Sequence, residues 1–531
     1  MNRRLLLAIT VVLTSLPLIA QRGTNWTTWG GDPQRTGWQR NETKLTPSGL
    51  KTVQLLWKIK LENQPKALHS LHEPLILGNA ITPHGFKELA IVAGSDDNIY
   101  ALDADLGRIV WKRHFQVPPP VGGENGGRGS HWLCPGGLTA TPVIAPPAGR
   151  GPGAAPGPAV PTLYTLASDG MLRQINLANG EDLAPPVQMV PKGNGKPYSL
   201  NLVDGVLYTA TGQGCGAVPN GIYAINLADP TKAVTKFETG SGGIWGLAGT
   251  AMSTDKATLY VETGDGTSDP ASNRYANSFV ALSAKDLKLK DWYTPTNWEW
   301  IYKRDLDMNV TPVVFPFKGR DLIAGSGKEG RIYLLDSKSL GGDDHKTPLF
   351  RSPLIANEDV DFQSKGVWGA LSTWEDAGTR WLLAPVWGPR HPDYKYPVSN
   401  GANPQGSIAA FKVEEQNGKT TLVPAWESRD MLSPAPVAIA NGIVWALASG
   451  EFTQQAYLNG SAGLYSAEER AKASSKAILY ALDAKTGKEL WNSGDAISSF
   501  THYYGLTIAN GRVYVGTFDG TFYCFGVPME H

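Results

Sequence analysis

Few stretches of this chain place chemistry-bearing side chains at a spacing that works unaided. Nine histidines are present, none of them at metal-ligand spacing. His69 and His72 are the nearest pair, but they fall in an irregular segment, and a metal role there is the weaker reading. Neither a Gly-x-Ser-x-Gly elbow nor a phosphate-binding loop occurs. The three cysteines are Cys134, Cys215 and Cys524, and no Cys-x-x-Cys-His motif attaches a c-type haem here. Cys134 and Cys215 lie in glycine-rich loops and are the pair expected to bridge in an oxidising compartment. Cys524 sits inside a strand pattern and reads as a buried small apolar residue. Trp368, Trp381 and Trp387 form an aromatic-rich run. Core packing is the plainer account of them, and the lining of a site mouth is the alternative.

The elements that must position any site announce themselves by repetition. Ile478-Leu479-Tyr480-Ala481-Leu482-Asp483, followed by Gly487 and Trp491, reads as an alternating strand, a tight turn and a second strand. Asp483 can cap the turn by accepting backbone N–H groups two residues on, and Gly487 supplies a positive φ. Trp491 is then free to cover the neighbouring unit with a large apolar surface. Ile99 to Asp103 with Gly107 and Trp111 is a second copy; Ile222 to Asn226 and Ile332 to Asp336 are a third and fourth. Weaker copies begin at Leu172, Phe279, Ile408 and Phe522. About eight units at spacings of roughly 45 to 75 residues predict an all-β, eight-bladed propeller of four-stranded antiparallel sheets. Leu55 to Ile59 has no such phrase before it. It is expected to complete the last blade beside the strand around Val513 to Val515, which closes the ring and removes open edges.

The repeat overrides the two-to-four-domain prior that 531 residues would otherwise suggest. With 48 basic and 48 acidic side chains, nothing argues for a nucleic-acid or anionic-membrane surface. Residues 1–20, with Arg3 and Arg4 before an apolar run and Ala20 at its end, read as a secretory signal peptide. The expected product, residues 21–531, is then periplasmic or secreted, with no later stretch apolar enough to span a bilayer. Pro/Gly-rich inserts near 117–137 and 145–161 are expected to be mobile, and a helical insert near 460–476 to lie on the surface.

Repeated Tyr-Ala-Leu-Asp-Ala-x-Thr-Gly with a following tryptophan resembles the docking repeat of the pyrroloquinoline quinone (PQQ) propellers, the quinoprotein alcohol dehydrogenases and their relatives. Gly243-Ile244-Trp245-Gly246, Glu262-Thr263-Gly264-Asp265-Gly266, Asp305-Leu306-Asp307-Met308-Asn309 and Gly327-Lys328-Glu329-Gly330 continue the likeness. It is nearest to the polyvinyl-alcohol-dehydrogenase-like branch without its haem domain. The resemblance implies that Trp245 underlies a flat quinone and that Asp265 offers an oxygen to calcium. It also implies Asp307, or Asp305, as general base and Lys328 as the cation beside the quinone oxygens. Each has a plainer alternative: a packing tryptophan, a turn cap in Gly-Asp-Gly, solvated loop carboxylates, a turn lysine.

One departure stands out. The family draws a second calcium carboxylate from an earlier blade, and the matching loop here, Thr211 to Gly216, contains no acidic residue. Two readings follow. The first is a PQQ-dependent dehydrogenase that oxidises an alcohol or sugar and passes electrons to a separate acceptor such as a cytochrome. The second is a non-catalytic propeller that binds protein or glycan and has lost the metal site.

Overall fold

The computed structural model describes residues 24–118, 133–148, 157–356, 365–502 and 504–529. The signal peptide expected over 1–20 lies outside the described residues, as do 119–132 and 149–156 within the two Pro/Gly-rich inserts. Among the described residues no helix is long and apolar enough to cross a membrane.

The repeat builds what its period predicts, an eight-bladed ring of four-stranded antiparallel sheets. Six sheets are four consecutive strands, such as Leu75–Thr82, Gly85–Ala93, Asn98–Asp103 and Arg108–His114 in the first blade. The sixth blade adds short strands to this plan, at Gly366–Val367 and Val398–Ser399. The eighth combines Thr507–Ala509, Arg512–Gly516 and Thr521–Gly526 with the N-terminal strand Gln54–Lys60. Ring closure is therefore as expected, with one correction. The N-terminal strand pairs with Thr521–Gly526, one strand beyond the anticipated 513–515, because Thr521–Gly526 holds the free outer edge.

The docking phrase has a concrete geometry. Trp57 Nε1 donates to Ala104 O at 2.9 Å, Trp111 Nε1 to Leu177 O at 2.8 Å and Trp426 Nε1 to Ala484 O at 3.1 Å. Each indole thus reaches the next blade, at the residue that follows the turn Asp or Asn. The turn glycine serves twice. Gly487 has φ 69°, and a Cβ there would sit 2.3 Å from the Trp426 ring. Asp483 Oδ1 accepts from Lys485 N and Thr486 N, at 3.0 and 2.9 Å, as the capping argument requires.

The innermost strand of a blade leaves one edge of peptide groups facing the axis, and these must find partners. The segment from Thr24 to Gln39 supplies them around the ring. Thr24 bonds Asn510 of blade eight, Trp26 pairs with Ile76 of blade one, and Ile144 N of blade two donates to Thr27 O. Thr28 Oγ1 donates to Leu200 O at the entry to blade three. Met252 N, Val314 N, Thr373 N and Ile439 N, from blades four to seven, donate to the carbonyls of Pro33, Gln34, Thr36 and Gly37. Gln39 Nε2 returns to Ile508 O in blade eight. Arg35, fully buried, donates to Thr28 Oγ1 and to the carbonyls of Trp29, Leu200 and Thr250. Trp29 packs on Ala248 and Ala370, so the segment floors the hub.

The insertions carry two expected features. Cys134 and Cys215 are bridged, Cα to Cα 5.6 Å, which ties down the end of an insert expected to be mobile. The helix forms over Ala467–Ala473 with Ser466 and Glu469 as a capping box. It is more than a surface insert, because its Arg470 is buried and donates to Glu451 Oε1 at 2.7 Å.

Glu73 Oε1 accepts from Trp26 Nε1 and Gly30 N, at 2.8 and 2.9 Å, and burial pushes its carboxyl up to about 8. A carboxyl raised above its unfolded value of 4.5 contributes most when protonated, and that contribution is lost as pH climbs toward 8. Glu73→Gln keeps one acceptor oxygen for both donors. It should flatten the pH dependence of melting temperature between pH 5 and 8, measured by calorimetry.

Candidate active site at the hub

Four connections of blades three to five bring the predicted residues together. Trp245 lies in the link from the strand Val234–Glu238 to Ala251–Met252. Asp265 follows the strand Thr258–Thr263, and Asp305 and Asp307 lie between the helix Trp298–Lys303 and the strand Val310–Thr311. Lys328 occupies the turn between Arg320–Ser326 and Ile332–Asp336. Glycines let these loops close on one another. A Cβ on Gly264 would lie 2.8 Å from Asp307 Cβ, and one on Gly327 would lie 2.4 Å from Asp307 O.

Lys328 is the centre. Its Nζ donates to Asp305 Oδ1 at 3.1 Å and to Asp307 Oδ2 at 3.0 Å. It also lies 5.4 Å from the Trp245 ring centroid and 5.6 Å from that of Trp368, within the range of a cation–π contact. The turn that carries it is held by Glu329, whose carboxylate accepts from Tyr333 OH, Asn297 Nδ2, Arg331 and Arg351. Trp368 stacks on Trp387 at 4.7 Å. Of the aromatic run, these two belong to the site, whereas Trp381 stacks on Trp374 within the packing between blades.

Ligand oxygens of Asp265, Asp305 and Asp307 lie within 4.8 Å of one another. Asp305, expected from the sequence only as a candidate base, thus adds a third carboxylate to the group, whereas the Thr211–Gly216 loop has none to offer. Asp265 and Asp305 both adopt left-handed φ, 33° and 55°, a conformation Asp tolerates better than most residues. Asp307 is fully buried, and its Oδ1 has no partner. Trp245 Nε1 and both amide atoms of Asn309 are likewise buried without a partner. Hard cations take such oxygens, so the donor set fits one.

The electrostatics favour a tunable acid. Burial, with the charges of Asp305 and Asp265, drives the Asp307 carboxyl up to about 7 against the opposing pull of Lys328. Burial acts to lower the Lys328 ammonium, but Asp307 and Asp305 outweigh it and hold it above its ordinary value. Partial burial and the Asp305 charge raise Asp265, and Lys328 offsets part of this. A groove of about 610 Å³ between blades five and six, lined by Arg331, Phe350, His391 and Tyr394, is separate from this cluster.

No protein-family model matches the chain, and no curated protein matches its sequence. Solved structures do match its fold. The quinohemoprotein alcohol dehydrogenase from Comamonas testosteroni aligns over 96% of this chain and 81% of its own, at 16% identity and TM-score 0.58. The quinohemoprotein alcohol dehydrogenase ADHIIG from Pseudomonas putida HK5 aligns over 96% and 82%, at 14% identity and TM-score 0.57. A europium-containing methanol dehydrogenase aligns over 95% and 98%, at 12% identity and TM-score 0.59. At these identities the likeness establishes a shared fold.

Lys328→Met strands the buried Asp307 carboxylate. It should cost about 3–5 kcal/mol in urea denaturation at pH 8. The loss should be smaller at pH 5, below the raised Asp307 value, where the carboxyl is neutral.

Proposed function

We propose that this chain is a quinoprotein-type oxidoreductase that uses PQQ and a hard cation to oxidise an alcohol or sugar. Electrons leave to a separate acceptor such as a cytochrome, and the protein works in the periplasm or outside the cell after removal of residues 1–20. Within the fold class its sequence motifs support placing it with the polyvinyl-alcohol-dehydrogenase-like branch. The observation that carries the reading is the convergence on one hub of Trp245, Asp265, Asp305, Asp307 and Lys328, from separate loops of the sequence. A binding scaffold gains nothing from gathering three carboxylates beside a buried lysine, with Asp307 itself fully buried, a costly arrangement unless it serves a ligand or a reaction.

When bound, the quinone supplies the two-electron acceptor and the cation, calcium or a trivalent lanthanide, supplies a Lewis acid. Trp245 offers an indole face to a planar ring. Asp265 and Asp305 hold the cation, and the unpartnered Asp307 Oδ1 takes the proton from the substrate hydroxyl oxygen. Lys328 keeps positive charge beside the site, where negative charge grows as the acceptor is reduced.

Adding PQQ with calcium or europium(III) should quench tryptophan fluorescence and allow dye reduction with an alcohol panel. Trp245→Ala should weaken quinone binding about tenfold or more, the equivalent of ~1.4 kcal/mol of stacking. Asp307→Asn should lower turnover by about 10²–10⁴ with quinone binding retained. Turnover should rise with pH through about 7, because Asp307 acts as base only when ionised. Absence of quenching at micromolar PQQ with either cation eliminates the reading.

A further inference from the structure

A second polar cluster occupies the hub, built by other blades. His69 and His72 precede blade one, Lys196 and Tyr198 precede blade three, Glu451 and Arg470 belong to blade seven, and His502 and Tyr504 lead into blade eight. Side chains from such distant blades can meet only about the axis. His69 Nδ1 and the Tyr504 hydroxyl are 3.0 Å apart, and the His72 and Tyr504 rings are 4.9 Å apart. The His69 and His502 rings are 5.3 Å apart. His502 Nδ1 donates to Glu451 Oε2 at 2.9 Å, and Arg470 takes the other oxygen at 2.7 Å. The one carboxylate of this group is therefore fully engaged. Tyr198, Leu247 and Tyr504 pack together, and Leu247 lies two residues beyond Trp245, so the cluster adjoins the site already described.

Lys196 is the member left over. It is 6% exposed, and no carboxylate pairs with it among the described residues. Its Nζ lies 5.7 Å from the Tyr198 ring centroid, and its charge reaches His502. His72 Nδ1 is also buried without a partner. An isolated buried ammonium is costly unless an anion arrives to meet it. Burial alone draws Lys196 down to about 7.

We infer that Lys196, flanked by His69, His72, His502 and Tyr504, forms an anion subsite of the hub that receives a carboxylate. Two molecules could bring one: a polycarboxylate quinone such as PQQ, or a hydroxy-acid substrate. Assignment to the quinone rests on the function proposed above; the subsite itself does not. Lys196 supplies an ammonium with three N–H donors, and a carboxylate offers two oxygens to such a donor; His72, whose Nε2 donates to Leu138 O at 3.0 Å, keeps Nδ1 as an acceptor and only borders the subsite. Next to the acidic Asp265, Asp305 and Asp307, the hub then has two poles, one for a cation and one for an anion.

The test uses the full chain with Lys196→Met and Lys196→Arg. Lys196→Met should melt no lower than the wild type, since it removes an unpaired buried charge. Fluorescence titration should show PQQ bound at least tenfold more weakly by Lys196→Met and within threefold of wild type by Lys196→Arg. The affinity for the uncharged PQQ trimethyl ester should not respond to either change. In calorimetry, oxalate should bind the wild type and not Lys196→Met, and this arm stands even where PQQ fails to bind at all. Lys196-dependent oxalate binding with no discrimination between PQQ and its ester assigns the subsite to a substrate carboxylate. Equal response of PQQ and ester together with Lys196-independent oxalate behaviour overturns the proposal.

Discussion

Sheets arranged round an axis leave a row of peptide groups along each inner edge, and the structure depends on how those edges are satisfied. Water could fill the channel and meet them. Here the chain does so with its own backbone, in the circuit from Thr24 to Gln39. The circuit converts a tunnel into a cup, with Trp29 at its base against Ala248 and Ala370. Arg35 fits the same logic. An always-charged guanidinium is tolerated at full burial because four carbonyl and hydroxyl oxygens surround it.

Above this floor the polar residues gather in two groups. Blades four and five contribute Asp265, Asp305, Asp307 and Lys328, while Lys196, Arg470 and the histidines come from blades one, three, seven and eight and the links between them. The division has a physical cost, since each buried charge gives up hydration. Paired charges such as Arg470 and Glu451 recover much of it locally. Asp307 Oδ1 and Trp245 Nε1 are among the buried atoms for which no such recovery is made within the protein.

The fold was legible because its signal is periodic and local. Alternation in Tyr480-Ala481-Leu482, the capping Asp483 and the turn Gly487 each act within a few residues, and eight repetitions average out the weak copies. Trp245, Asp265, Asp307 and Lys328 were singled out only through the resemblance to the PQQ propellers, carried by short motifs on individual loops. What escaped was whatever depends on packing between distant segments. The segment from Trp26 to Gly37 reads only as turn formers and aromatics, because its role is to bond backbone to backbone and leaves no side-chain signature. The hub role of His69, His72 and His502 was equally hidden, since irregular segments give no periodicity to read. Asp305 was visible as a carboxylate, but not as a member of one group with Asp265 and Asp307. Arg470 looked like one more polar residue on a short helix until Glu451 appeared opposite it.

The circuit of the N-terminal segment also orders events in time. Thr24 and Asn510 are 486 residues apart, and Gln54–Lys60 has no sheet until Thr521–Gly526 exists. Such distant contacts must follow the local hairpins, because the entropy of closing the longest loops is recovered last. The segment from Thr24 to Lys60 is therefore among the last to find its place. The ring stays open, with its final edge unprotected, until Thr521–Gly526 is in place to receive Gln54–Lys60.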